Sequence, residues 1–232
     1  MASIDFTDIM KDKTSYLTFK EIDKMLQHCF DSDKAKALRD YMLILTMVRT
    51  GRRISEVVGA KPYTRNVGLR PVDIRDDGLI EWDILKKRHI WRNPKHGRKI
   101  SKERLEVLRL TKMPKRMLIT VDDEYLGILT SYVETLPIGS YDRVFPITRQ
   151  RADVIVKTVA KECKIYRSSP VHCHSFRHSL AIHMLQQNEH DPTMLIKVKE
   201  ILAHSDINVT MAYTQFTQTD KKDALNKTWG VG

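Results

Sequence analysis

Four short segments of this chain gather residue types that can hold an oxyanion and attack it. They are Thr50-Gly51-Arg52-Arg53-Ile54-Ser55-Glu56, His174-Ser175-Phe176-Arg177-His178, Leu202-Ala203-His204-Ser205 and Met211-Ala212-Tyr213-Thr214. Guanidinium groups present paired donors to oxygen and keep their charge near neutral pH, whereas imidazole can give or take a proton there. A phenol, with a reference pKa of about 10, becomes a nucleophile only when a base or a strong positive field helps remove its proton. Taken singly, each segment reads as ordinary structure: a helix boundary with solvated arginines, a helix start, a half-buried aromatic. Taken together, they suit a reacting centre whose oxygens gain negative charge as it is attacked.

The elements that must position these residues are mostly helical. Thr18 followed by Glu21 is a capping-box pattern, and Ile22, Met25, Leu26 and Phe30 then recur at helical spacing, predicting a helix over about 19–30. Leu38, Tyr41, Met42, Leu45 and Val48 mark a second helix that Gly51 can end, and Arg52 to Val58 begins a short third. Ile80, Trp82 and Ile84 alternate with Glu81 and Asp83 after an Asp76-Asp77-Gly78 turn, the pattern of a strand with one buried face. Arg116 to Val121 reads as a second strand, and a short helix is predicted around Glu103 to Leu110. Further helices are predicted over 124–136, 151–163, from His174 through Leu185, and from Met194 to Leu202. With no internal repeat or Gly/Ser linker, the fold class is mainly α with a small antiparallel β-sheet (α+β), in one domain.

The 232 residues carry 40 Lys plus Arg against 29 Asp plus Glu, a formal charge of +11 that fits a polyanionic partner. The excess is local. Lys86 to Arg116 holds thirteen bases and two acids, Glu103 and Glu106, so the remainder of the chain is formally neutral. Apolar stretches such as Tyr41 to Val48 fall far short of the ~20 residues of a membrane span, and the polar N-terminus has no signal-peptide core. Cys29, Cys163 and Cys173 form no CxxC pair, which fits reduced thiols in a cytoplasmic, nucleoid-associated setting. His172-Cys173-His174 offers metal-ligating types, but adjacent ligands without a second spaced pair make a poor zinc site, and no metal is assigned.

In order and spacing the four segments resemble the signature of the tyrosine recombinase (phage integrase) family, with archaeal or mobile-element members in mind. That signature has an arginine after a Thr-Gly turn, a His-x-x-Arg box, a Gly- or Ala-His-Ser box, and a tyrosine nine positions after the last histidine. By that resemblance Arg53 is the first catalytic arginine, His174 and Arg177 the central pair, His204 the third-box histidine and Tyr213 the nucleophile. His174 is the candidate base and His204 a donor to the phosphate. Glu56 is the matching acid that orients Arg53. Ala203 stands where glycine is frequent, adding a methyl group. His178, at i+4 from His174, reads as a packing or capping residue outside this set. A lysine on or after a hairpin strand should protonate the leaving 5′-oxygen; Lys86, which continues the parity of Ile80, Trp82 and Ile84, is chosen, with Lys87, Lys95 and Lys99 as alternatives.

The resemblance implies conservative site-specific DNA recombination or integration through a 3′-phosphotyrosine and a Holliday junction, without metal, ATP or other cofactor. The stretch between the two strands is longer and more basic than a tight family hairpin, so Lys87, Arg88, Arg92, Lys95, Arg98, Lys99 and Lys102 are read as contacts to the DNA backbone. Residues 1–17 read as an N-terminal extension or linker remnant, 18–217 as the catalytic domain, and 218–232 as a C-terminal segment for protomer contact. The family's N-terminal DNA-binding domain has no room before Thr18. The implied partner is a double-stranded DNA recombination site, bound by a protein that is monomeric when free and tetrameric on paired sites. Two other readings stand beside this one. A type IB-like DNA topoisomerase would use the same chemistry but rejoin the original strands, and a non-catalytic architectural DNA-binding protein would leave the signature residues apart in space.

Overall fold

A computed structural model describes residues 16–59, 67–84, 115–166, 170–188, 191, 193–203 and 210. The first helix, α1 (Phe19–Phe30), starts where the sequence predicts: Thr18 Oγ1 accepts from Glu21 N, and Glu21 Oε2 accepts from Thr18 N at 2.8 Å. Its buried Ile22, Met25 and Cys29 recur every three or four residues and face α2 (Ala37–Thr50). Helix α2 is the centre of the fold. Met42, Leu43, Ile44, Leu45 and Met47 are all buried, and each such side chain contributes about 1.5–3 kcal/mol relative to exposure. Gly51 ends α2 in a left-handed conformation, φ 59°, and its N–H donates to Met47 O. One turn later comes α3 (Ile54–Val57).

The sheet follows. Strands β1 (Leu79–Ile84) and β2 (Lys115–Thr120) pair antiparallel from Leu79 opposite Thr120 to Ile84 opposite Lys115. Ile80, Trp82 and Ile84 all enter the core, as their alternation predicts. Residues 85–114 connect the strands, so the long insertion exists as a connection between neighbours; the helix predicted at 103–110 lies outside the described residues. A 3₁₀ turn over Pro71–Asp73, which the sequence analysis reads only as broken by proline, puts buried Asp73 beneath the sheet's polar side. There Asp73 bonds Arg70 and Arg116, and Arg116 also reaches Glu81 at 3.0 Å and Asp83 at 3.5 Å. Burial raises the Asp83 carboxyl above its ordinary value, against the pull of Arg116.

Helices α4 (Asp123–Glu134) and α5 (Arg149–Glu162) begin at side-chain caps, Asp122 to Tyr125 N and Thr148 to Arg151 N. They pack on α2, and the core runs on through Tyr125, Leu129, Ile155 and Val156. Then come α6 (Cys173–Gln187) and α7 (Met194–Ile201), which share a smaller apolar cluster of Ala181, Ile182, Met194, Val198 and Leu202. The chain entering α1 is tied to α6: Leu17 N donates to Ser179 Oγ at 2.7 Å, His183 Nε2 bonds Leu17 O at 2.8 Å, and Phe19 stacks on the His183 ring. The result is mainly helical with one small antiparallel sheet, and it brings the ends of α2, α6 and α7 together.

Candidate active site

Arg53 is the N-cap residue of α3, and Glu56 holds it from two sides. Glu56 Oε2 accepts from Arg53 N at 3.0 Å, and Oε1 pairs with Arg53 Nη1 at 3.0 Å. The Glu56 side chain is fully buried while that of Arg53 is 34% exposed, so the carboxylate fixes the guanidinium and leaves one edge of it open. Glu56, read in the sequence as the acid beside Arg53, lies in contact with it. The neighbouring Arg52, one residue earlier, is only 1% exposed and donates instead to Thr50 O and Ile201 O.

His174 and Arg177 lie on the first turns of α6, one turn apart. The start of α6 is fixed by Ser175 Oγ, which accepts from His172 N at 3.2 Å, and by Asp153, whose carboxylate accepts from Cys173 N at 3.5 Å. His174 sits on the open side of the helix and Arg177, 1% exposed, on the closed side. Arg177 Nη1 donates to Gly51 O at 2.7 Å and Nη2 to Leu202 O. One guanidinium thus links the Thr-Gly-Arg-Arg segment, its own helix and the end of α7. The approach is close: a Cβ on Gly51 would lie 2.6 Å from Leu202 Cδ2 and 2.9 Å from Leu180 Cδ2.

Two guanidinium groups, Arg53 and Arg177, and three imidazoles crowd this place. The His174 ring is 4.6 Å from that of His178, edge on, and 6.4 Å from that of His172. Burial, followed by the fields of His178, Arg177, His172 and Arg53, pushes the His174 pKa down to about 4, and burial also lowers that of His178. His174 is then a neutral imidazole at pH 7, able to accept a proton. His178, set aside in the sequence analysis, is an immediate neighbour of His174. Ala203 adopts φ 51° immediately before His204, which explains why glycine suits that slot: the left-handed region costs a residue with a Cβ about 1–2 kcal/mol.

Lys86, His204 and Tyr213 lie outside the described residues, as do Lys87, Arg88, Arg92, Lys95, Arg98, Lys99 and Lys102. Among the described residues, no three His, Cys, Asp or Glu side chains are grouped to hold a metal ion, and no helix is long and apolar enough to cross a membrane. The thiols of Cys29 and Cys173 are pushed up to about 12 by burial, and that of Cys163 is also raised. Arg52 is what sequence reasoning missed. Its only signal was a second arginine beside Arg53 in the first box.

The Phage integrase family model matches residues 15–220. The chain belongs to the phage integrase family. Among curated members, the tyrosine recombinase XerD of Listeria monocytogenes is 37% identical over 81 residues, 35% of this chain and 25% of that protein. XerD of Neisseria meningitidis (serogroup A) is 29% identical over 219 residues, 89% of this chain and 60% of that protein. Among solved structures, a XerH recombinase bound to a palindromic difH substrate after cleavage superposes with a TM-score of 0.60 at 19% identity, covering 91% of this chain and 52% of that one. XerA recombinase gives 0.58 at 17% identity, over 91% and 64%. The chain spans a quarter to about half the length of the first of these relatives. It is a tyrosine recombinase catalytic domain by family, with the corresponding mainly helical fold.

Proposed function

We propose that this domain cuts and rejoins DNA strands through a 3′-phosphotyrosine on Tyr213. The observation that carries the reading is the meeting of Arg53, His174 and Arg177 with the end of α7, from three separate sequence boxes, in one cation-rich place. The open edge of Arg53 contacts a nonbridging oxygen. Arg177 supplies positive charge fixed by its bonds to Gly51 O and Leu202 O. Tyr213 Oη attacks phosphorus and its proton passes to His174. The P–O5′ bond breaks and the departing oxygen takes a proton from Lys86, leaving a free 5′-hydroxyl. His204 donates to the phosphate. Attack on the phosphotyrosine by a 5′-hydroxyl reverses each transfer, so one ester bond replaces another and no energy source is needed.

The domain acts on double-stranded DNA sites, with Lys87, Arg88, Arg92, Lys95, Arg98, Lys99 and Lys102 gripping the backbone and four copies assembling on paired sites. The test is a suicide duplex carrying a site selected by binding from a randomised pool. Wild-type protein should become covalently attached at the 3′ side of the break, and Tyr213→Phe should abolish attachment. Attachment that survives that substitution rejects Tyr213. Sequencing the rejoined products separates recombination, which exchanges partner strands, from relaxation, which restores the original ones.

A further inference from the structure

We infer that Arg52 is a positioning residue that braces the chain entering the Ala-His-Ser box, and so sets His204 for the proposed cleavage. The inference rests on that proposed function. Its basis is an unusual burial. Arg52 is 1% exposed, and among the described residues it forms no ion pair. The field of Glu56 offsets only part of the cost of burying this charge, which is opposed again by Arg53, and an apolar side chain could fill the same space. What the guanidinium does hold is backbone: Nη2 donates to Ile201 O and Nε to Thr50 O at 3.3 Å.

These acceptors are the last carbonyls of two helices. Ile201 closes α7 and Thr50 closes α2. A helix C-terminus carries unsatisfied carbonyls and the negative end of the dipole, so a cation there is favourable. Arg177 takes the next carbonyl, Leu202 O. Two consecutive carbonyls are therefore each held by an arginine, one from each of the other two boxes, and the chain then passes through left-handed Ala203 to His204. Burial lowers the Arg52 pKa to about 10, which leaves it charged at neutral pH. Its neighbour Arg53 faces solvent and Glu56, so the two arginines divide the work: one holds the scaffold and the other stays open.

The experiment is single-turnover cleavage of the suicide duplex at saturating protein, with DNA affinity and thermal melting measured on the same samples. Arg52→Met should slow cleavage about 10- to 100-fold, the size expected when a reacting group is misplaced by a fraction of an ångström to one ångström, with affinity changed less than about threefold. Arg52→Lys should recover part of the rate, because an ammonium keeps the charge and reaches one carbonyl. The decisive readout is the coupling. In a His204→Ala background, Arg52→Met should slow cleavage less than about threefold. An equal loss in both backgrounds overturns the inference, as does an unchanged rate in Arg52→Met. If Arg52→Met fails to fold, Arg52→Lys in the two backgrounds reads the same coupling. Wild-type protein that forms no covalent product defeats the proposed function itself. A cleaving wild type with an indifferent Arg52 defeats only this inference.

Discussion

Gly51→Ala should be the most informative stability variant, because a matched control exists in the same chain. Gly51 and Gly78 both have left-handed backbones, φ 59° and 80°, so alanine pays a similar conformational penalty of about 1–2 kcal/mol at each. The restriction that alanine places on the unfolded chain is common to both and cancels in the comparison. The surroundings differ. At Gly78 a new Cβ meets nothing within 4 Å, whereas at Gly51 it meets Leu202 Cδ2 at 2.6 Å and Leu180 Cδ2 at 2.9 Å. Leucine ends can rotate, so overpacking adds about 1–3 kcal/mol rather than forbidding the fold. Gly51→Ala should therefore lose about 1–3 kcal/mol more than Gly78→Ala, read from urea midpoints at unchanged slope. Since Gly51 O accepts from Arg177, the variant should also slow cleavage, while Gly78→Ala should not. Equal losses of stability in the two variants would refute the close packing of Leu180 on α6 and Leu202 after α7 against Gly51.

Two further outcomes follow from the site. Glu56→Gln replaces a buried carboxylate that binds both the backbone and the guanidinium of Arg53, so it should cost about 1–3 kcal/mol in urea unfolding and lower single-turnover cleavage. Unaltered cleavage would remove Glu56 from any part in orienting Arg53. The pH dependence of stability should carry the mark of His174. Its folded value is about 4 against an ordinary 6.5, so between those values the unfolded chain binds the proton and the folded chain does not. Stability therefore falls as pH drops through that window, and His174→Asn should flatten part of the decline in urea midpoints between pH 7 and 4.5. His178 and His183, also lowered by burial, keep the remaining slope. A variant with the wild-type slope would place His174 in an ordinary solvated environment.

The elements were legible where their cause is local. The Thr18–Glu21 box, the glycine after α2 and the alternation of Ile80, Trp82 and Ile84 each leave a pattern within a few residues, and each appears in the fold. The order of the four boxes identified the family for the same reason. What could not be read were contacts whose acceptors are backbone carbonyls. Nothing in the letters says that Arg177 grips Gly51 O and Leu202 O, or that Arg52 grips Ile201 O, because any residue supplies the same carbonyl. Helix α6 hid its environment in another way. Ser175, Arg177, Ser179 and His183 are all buried on it, so its buried face is not an apolar stripe.

The same distinction changes how the concentration of positive charge reads. Counted along the chain, Arg116 is the last member of the basic stretch that accounts for the whole excess. Placed in the fold, it belongs to the scaffold: its guanidinium sits among Asp73, Glu81 and Asp83, with Arg70 completing the set. Such a cation, already neutralised by three carboxylates, releases no counterion from DNA. The pairing also has a mechanical consequence. Arg116 lies opposite Asp83 in the ladder, one pair before the Ile84–Lys115 pair that ends it, so its cross-strand bonds close the hairpin next to where residues 85–114 begin. The strands are thus locked by their own charges at the mouth of the basic insertion. In sequence, Lys86 comes two residues after the last buried strand position, Ile84, and the proposed backbone contacts, Lys87 to Lys102, follow it.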